Sequence, residues 1–165
     1  MQHDALTRPA PQADITDTDE IHAGLMSGTS MDGVDGVLIA FDEQGRIRQT
    51  LTSAFVPMPE PLRRQLTALQ HPAPDELAAA ARAGQQLADL YAECVQRLLQ
   101  QSGVSSRQVR ALGAHGQTVR HAPAEGYTLQ LLDAPRLAEA TGIDVIADLR
   151  SADIAAGGQG APLMP

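Results

Sequence analysis

Ile21-His22-Ala23-Gly24-Leu25-Met26-Ser27-Gly28-Thr29-Ser30-Met31-Asp32-Gly33-Val34-Asp35-Gly36-Val37-Leu38-Ile39-Ala40-Phe41 is the stretch on which the fold turns. Ile21 to Met26 is a short apolar run, and Val34 to Phe41 is a second one built around Gly36. Between them Ser27 to Gly33 is a turn rich in glycine and hydroxyls. Arg46 to Phe55 reads as a third strand, so the chain opens as a β-meander whose first turn is polar and glycine-rich. Pro57, Pro59 and Pro61 end it. Pro61 suits the first turn of a short helix through Leu69, where its missing N–H is not needed.

His71 to Pro74 breaks that helix, and Asp75 is placed to cap a longer one. Leu87, Leu90, Tyr91, Cys94, Val95, Leu98 and Leu99 recur at the spacing of one buried helical face. Gly103 ends the helix where a left-handed residue is wanted. Ser105 with Gln108 has the form of a capping box for one further turn. Val109 to Ala114 then reads as a strand, His115 to Thr118 as a turn and Tyr127 to Leu131 as a strand. Asp133 caps a short helix that Gly142 ends. Ile143 to Ala147 is nearly continuous in apolar residues, as for a strand covered on both faces. Residues 155–162 are rich in glycine and read as turns.

Composition excludes several chemistries. All 12 basic residues of this 165-residue chain are arginine. Without lysine there is no Walker-type phosphate loop, no protein-kinase strand lysine and no Schiff base to pyridoxal. The net charge is -8, aromatics are 2 % and no basic stripe exists, so nucleic acid is not an expected partner. No apolar stretch approaches the ~20 residues of a membrane span, and the N-terminus lacks the pattern of a signal peptide. A lone Cys94 permits no intrachain disulfide and suits a reducing cytoplasm. Residues 1–20 carry Asp4, Asp14, Asp17, Asp19 and Glu20 against Arg8, and are expected to be a disordered acidic leader. Residues 21–165 are expected to form one domain.

Three segments can carry chemistry. In the first turn, glycines allow backbone N–H groups close to an anion and hydroxyls add uncharged donors. Asp32 and Asp35 suit Mg²⁺, which favours one or two carboxylates with phosphate oxygens. The plain alternative is a hairpin turn that tolerates polar residues. In the second turn, His115 and Gln117 suit sugar hydroxyls, or His115 suits proton transfer. The alternative is a strand-capping His115 bonded to backbone. Asp148 and Arg150 come after an apolar strand, where polar residues commonly face a ligand crevice. Their alternative is a surface ion pair. A metal set of His115, His121, Asp148 and Asp153 matches no known ligand spacing. Cys94 lies on the apolar helix face and reads as core.

Three motifs together carry a resemblance: Gly24 to Asp35, Ala114 to His121, and Ala155 to Leu163. In this order they resemble anhydro-N-acetylmuramic acid kinases, over essentially residues 21–165. The resemblance implies an α/β domain of the actin/sugar-kinase/Hsp70-like (ribonuclease H-like) fold. Its mixed sheet is flanked by helices and is incomplete at the C-terminus. It implies ATP with Mg²⁺ as cofactors, and ATP phosphates held by Gly28, Thr29, Ser30, Met31, Asp32, Gly33, Val34 and Asp35, with Asp32 at the metal. His115, Gln117, Thr118, Asp148 and Arg150 fall on the sugar side. The implied reaction opens the 1,6-anhydro ring of anhydro-N-acetylmuramic acid and phosphorylates O6, in peptidoglycan recycling by a cytoplasmic homodimer. Members of the family are about twice this length, and the catalytic base is expected beyond Pro165, in an Asp–Cys–Gly–Pro–Gly segment. Residues 1–165 are therefore expected to be inactive alone. Leu132 stands where a glycine is usual, and Ala152 where an arginine is common. The alternative of another class is a non-catalytic module that binds nucleotide or sugar, or dimerises.

Overall fold

The computed structural model describes residues 18–162, so the expected acidic leader lies outside them save for its last residues. Glu20 does not belong to a leader: it opens β1 (Glu20–Met26), opposite Phe41. In β1 Ile21, Ala23 and Leu25 are buried, while His22, Gly24 and Met26 alternate onto the other face. β2 (Gly33–Phe41) and β3 (Ile47–Pro57) complete the expected antiparallel meander.

Two helices then cross back. α1 (Glu60–Ala68) carries Pro61 in its first turn and buries Leu62 and Leu66. α2 (Glu76–Ser102) buries Leu87, Leu90, Tyr91, Cys94, Val95 and Leu98, as the periodicity requires. Leu87 and Leu98 are fully buried, and removing each from water stabilises by about 1.5–3 kcal/mol. Gly103 ends α2 at φ 72, its N–H donating to the Leu99 carbonyl. The start of α2 departs from expectation. Asp75 stands at the cap in the left-handed region, φ 58, and its side chain caps nothing. The Glu76 carboxylate instead reaches back to accept from the Ala73 N–H at 3.3 Å, which ties down the loop before the helix. Gln108 reaches back to the Ser105 N–H at 3.0 Å, closing the expected single turn.

β4 (Val109–Ala114) is followed by a ribbon of β5 (Gln117–Ala122) and β6 (Tyr127–Leu131), then α3 (Ala134–Thr141), β7 (Val145–Ile146) and α4 (Ser151–Ala155). Asp133 caps α3 through the Arg136 N–H at 3.0 Å, and Gly142 ends it at φ 67. The main sheet runs β3-β2-β1-β4-β7, with β4 and β7 parallel to β1, and β5-β6 form a separate antiparallel pair. This is the mixed α/β sheet the motifs imply. Two expectations fail. The second turn shrinks to His115 and Gly116, because Gln117 and Thr118 pair with Leu131 and Gln130 in the ribbon. The strand over 143–147 shortens to two residues at the sheet edge, and Ile146 is 56 % exposed rather than covered on both sides. A short helix, α4, precedes the glycine-rich segment and takes in only Ala155 of the residues read as turns.

One apolar cluster joins β1, β2, β3, α1, α2 and α3 on one side of the sheet. Gly36 makes this possible: a Cβ there would stand 2.6 Å from the Cys94 sulfur. Cys94 itself is buried, and burial pushes its thiol up to about 11, which leaves it inert core. The other side of the sheet opens onto two cavities, of about 760 and 1170 Å³. Among the described residues no helix is long and apolar enough to cross a membrane.

Candidate active site

The first turn and the start of β2 carry four exposed side chains. Met31 N–H donates to the Gly28 carbonyl at 3.1 Å, which leaves Thr29 and Ser30 at the tip, both exposed. Met31 takes φ 54 and turns its side chain into the core, where the Thr67 hydroxyl meets its sulfur at 3.7 Å. Gly33 has no room for a Cβ, which would stand 2.3 Å from the Val56 carbonyl oxygen. Val34 is fully buried. Of the eight residues expected at the phosphates, Thr29, Ser30, Asp32 and Asp35 therefore present side chains to solvent. Gly28, Met31, Gly33 and Val34 offer backbone alone. Neither the Asp32 nor the Asp35 carboxylate has a hydrogen bond or ion pair among the described residues.

Ser27 differs from its neighbours. It is buried, accepts from the Tyr91 hydroxyl at 3.2 Å and donates to the Gly116 carbonyl at 3.3 Å. This strut ties α2 to both polar turns. Burial pushes the Tyr91 phenol up to about 12, so it remains a donor. A single tyrosine on an otherwise aliphatic helix face is the only trace of this strut in the sequence.

The second turn is drawn inward. His115 is 8 % exposed, its Nδ1 lies 2.8 Å from the Gly116 carbonyl, and the Arg150 Nε donates to its Nε2 at 2.8 Å. Burial, ahead of the positive charge of Arg150, holds its pKa below the usual 6.5. The backbone bond foreseen in the plain alternative exists, and a second bond accompanies it. Gln117 is 1 % exposed and its side-chain oxygen is buried without a partner among the described residues. Thr118 accepts from the Gln130 amide at 3.1 Å within the ribbon. Neither Gln117 nor Thr118 lines the larger cavity.

Asp148 takes φ 55 and accepts from the Ser151 hydroxyl at 2.5 Å, and among the described residues it makes no ion pair with Arg150. The strained backbone at Asp148 and this bond turn the chain from β7 into α4 and set Arg150 beside His115. Asp153 organises the glycine-rich segment after α4. It accepts from the Gly160 N–H at 2.7 Å, and a Cβ on Gly158 would stand 2.2 Å from its carboxylate. The glycines of the third motif thus wrap an aspartate and carry Ala161 and Pro162 to the cavity wall. Among the described residues no three His, Cys, Asp or Glu gather as a metal site, so the set of His115, His121, Asp148 and Asp153 does not form.

The cavity of about 1170 Å³ is where the three motifs meet. Met26 and Asp35 reach it from the first, His115 from the second, Ala161 and Pro162 from the third, with Arg150 beside them. The same segments carry similarity to known proteins. The chain is 58 % identical over 150 residues to the anhydro-N-acetylmuramic acid kinase of Ralstonia nicotianae, covering 88 % of this chain and 39 % of that protein. For the kinases of the same name from Burkholderia pseudomallei strain 1710b and Bordetella pertussis the identities are 57 % over 147 and 58 % over 142 residues. Those matches cover 89 % and 86 % of this chain, and 38 % and 37 % of the relatives. The chain therefore spans under two-fifths of the length of these relatives. The family profile of anhydro-N-acetylmuramic acid kinase matches residues 20–165, from the first residue of β1 onward. With the mixed sheet of a sugar-kinase and actin-like ATPase fold beneath those motifs, the chain belongs to the anhydro-N-acetylmuramic acid kinase family.

Proposed function

We propose that residues 21–165 form the phosphate-binding side, and part of the sugar-binding side, of an ATP-dependent kinase for 1,6-anhydro-N-acetylmuramic acid. The observation that supports this best is the shared cavity: Asp35 of the phosphate turn opens onto the same space as His115 and Arg150 of the sugar side. The residues fit Mg²⁺ and ATP. Asp32 and Asp35 are exposed carboxylates without a partner among the described residues, which suits an ion that keeps waters and takes one or two carboxylates with phosphate oxygens. The Thr29 and Ser30 hydroxyls stand at the tip of a turn whose glycine lets backbone approach an anion closely. ATP supplies the phosphoryl group that passes to the sugar O6. Positioning and electrostatics dominate that transfer, so the absence of lysine is no obstacle.

The residues divide the labour between them. Asp32 and Asp35 would hold Mg²⁺ through their carboxylates, and the ion would supply charge neutralisation at the phosphates. Arg150 and His115 line the sugar side of the cavity, while Gln117 and Thr118 belong to the β5–β6 ribbon, which follows the second turn and lies outside the cavity lining. The base that activates water at the anhydro carbon lies in sequence outside residues 1–165, so these residues alone release no product. The whole enzyme is read as a cytoplasmic homodimer that delivers N-acetylmuramic acid 6-phosphate.

A hybrid tests this. The matching segment of the Ralstonia nicotianae kinase is replaced by this chain, and formation of the 6-phosphate from anhydro-sugar and labelled ATP is monitored. The hybrid is expected to turn over, and Asp32→Asn within it to lose about 10²-fold or more in kcat/KM through metal positioning. Turnover unchanged by Asp32→Asn would remove the metal role, and turnover by residues 1–165 alone would place the base within them.

A further inference from the structure

Arg150 Nε is a donor and has no lone pair, so the His115 Nε2 that faces it at 2.8 Å must carry no proton. The proton of the neutral ring then sits on Nδ1 and is donated to the Gly116 carbonyl at 2.8 Å. That carbonyl is itself held. Gly116 takes φ 74 with Leu131 backbone packed against it, and the Ser27 hydroxyl donates to the same oxygen. Tyr91 in turn donates to Ser27. A chain of bonds thus runs from the buried face of α2 to the guanidinium at the cavity, and it admits one tautomer of His115.

The other half of the guanidinium is left over. Arg150 makes no further hydrogen bond and no ion pair among the described residues. Asp148, the carboxylate nearest in sequence, is occupied by the Ser151 hydroxyl. The two terminal nitrogens of Arg150 are therefore unpartnered on a side chain that lines a largely apolar cavity. A planar guanidinium with one edge fixed and the other free is suited to paired anionic oxygens, which it binds through two parallel bonds.

We propose that Arg150 binds a carboxylate or phosphoryl group of the ligand through its two terminal nitrogens, and that neutral His115 is the positioning residue that holds the guanidinium for it. This rests on the kinase reading of the cavity, in which both sources exist: the acid group of the sugar and the transferred phosphoryl. The charged groups that line the cavity are Arg150 and Asp35, and Asp35 lies on β2, across the cavity from the segment of Arg150.

The test uses the 165-residue chain, with ¹⁵N resonances of the imidazole and guanidinium groups as readout. In the parent, His115 should show an unprotonated Nε2 and a protonated Nδ1 near neutral pH. Titration with inorganic phosphate and, separately, with D-lactate should shift the Arg150 side-chain resonances, and the probe that binds more tightly names the source. Arg150→Gln should weaken that binding by about tenfold or more, as loss of charge-assisted bonds does. His115→Ala should weaken it similarly, while His115→Gln, whose amide oxygen can accept from the Arg150 Nε, should recover most of it. Urea midpoints identify any variant that has lost its fold, and the tautomer of the parent is a readout independent of all variants. A proton on His115 Nε2, or probes that leave the Arg150 resonances in place, would overturn the proposal. The kinase reading fails separately, through a hybrid enzyme that does not turn over although the His115 tautomer and the anion response are as stated.

Discussion

The two polar turns begin from similar sequence cues and end in opposite environments. In the turn at 28–31 glycine and hydroxyls stand over a packed core with Thr29 and Ser30 exposed, and a Cβ on Gly28 would touch nothing closer than the Ser30 hydroxyl at 3.8 Å. At 115–116 the same kinds of residue are pulled inward: His115 is buried and a Cβ on Gly116 would stand 2.7 Å from the Leu131 carbonyl oxygen. The difference comes from the elements downstream of each turn. After the first, β2 runs back beside β1 in the sheet, which leaves the tip free. After the second, the ribbon folds over the turn and α4 closes beside it through Arg150. A polar, glycine-rich turn is thus open to solvent only where the next elements leave it uncovered.

Exchanging the two glycines for alanine breaks this comparison most directly. Gly116→Ala places a side chain at φ 74 against backbone, and should cost about 2–4 kcal/mol from left-handed strain and overpacking together. Gly28→Ala should shift stability by less than about 0.5 kcal/mol, as for a surface change with open space. Urea unfolding of both variants measures the contrast, and equal losses would show that both turns are packed alike.

The legibility of the sequence divides along the same line. The meander, α1, α2 and its glycine stop, and the Asp133 cap are readable because each has a local signal: alternation, a helical stripe, a turn residue at the required φ. Gln117 and Thr118 read as turn because they are polar, and only their pairing with Leu131 and Gln130 makes them strand. The run Ile143 to Ala147 reads as doubly covered from its composition, whereas Ile146 lines the open side of the sheet. α4, at five residues, is too short for any periodicity. Within the site, the residue types at Asp32, Asp35, His115 and Arg150 are visible in the sequence, but not their pairing. The His115–Arg150 bond spans 35 positions and the Tyr91–Ser27 bond 64, and no spacing rule reaches that far.

The strut between the turns sharpens the comparison at a smaller scale. Ser27→Ala leaves the Tyr91 hydroxyl buried without its acceptor and should cost about 1–3 kcal/mol, against about 1 kcal/mol for Tyr91→Phe, which leaves Ser27 its bond to Gly116. The double variant should cost less than the sum, because the unpaired hydroxyl is gone. A chemical-denaturation cycle reads all three. Strict additivity would mean the Tyr91–Ser27 bond contributes nothing to joining α2 to the turns.

The smallest effect is a pH slope that belongs to the second turn alone. The folded pKa of His115 lies below the ordinary value of 6.5, with burial as the largest cause and the Arg150 charge adding to it. In the unfolded chain this histidine takes up a proton as pH falls through 6.5, while the folded protein keeps it neutral until a lower pH. Across that window the unfolded state binds more protons, so stability rises with pH and is lost as pH falls from 6.5 towards the folded pKa. Arg150 bonds His115 directly and Asp35 lines the same cavity, and a proton on Nε2 would meet the Arg150 Nε–H head-on. Urea midpoints of the parent and of His115→Gln, compared at pH values on either side of 6.5, isolate the contribution, because the glutamine keeps an acceptor for Arg150 but has no proton to gain. The parent should lose more stability than His115→Gln on acidification. Parallel pH curves would show that His115 titrates alike in both states, and the contrast between a buried second turn and an open first one would then rest on packing alone.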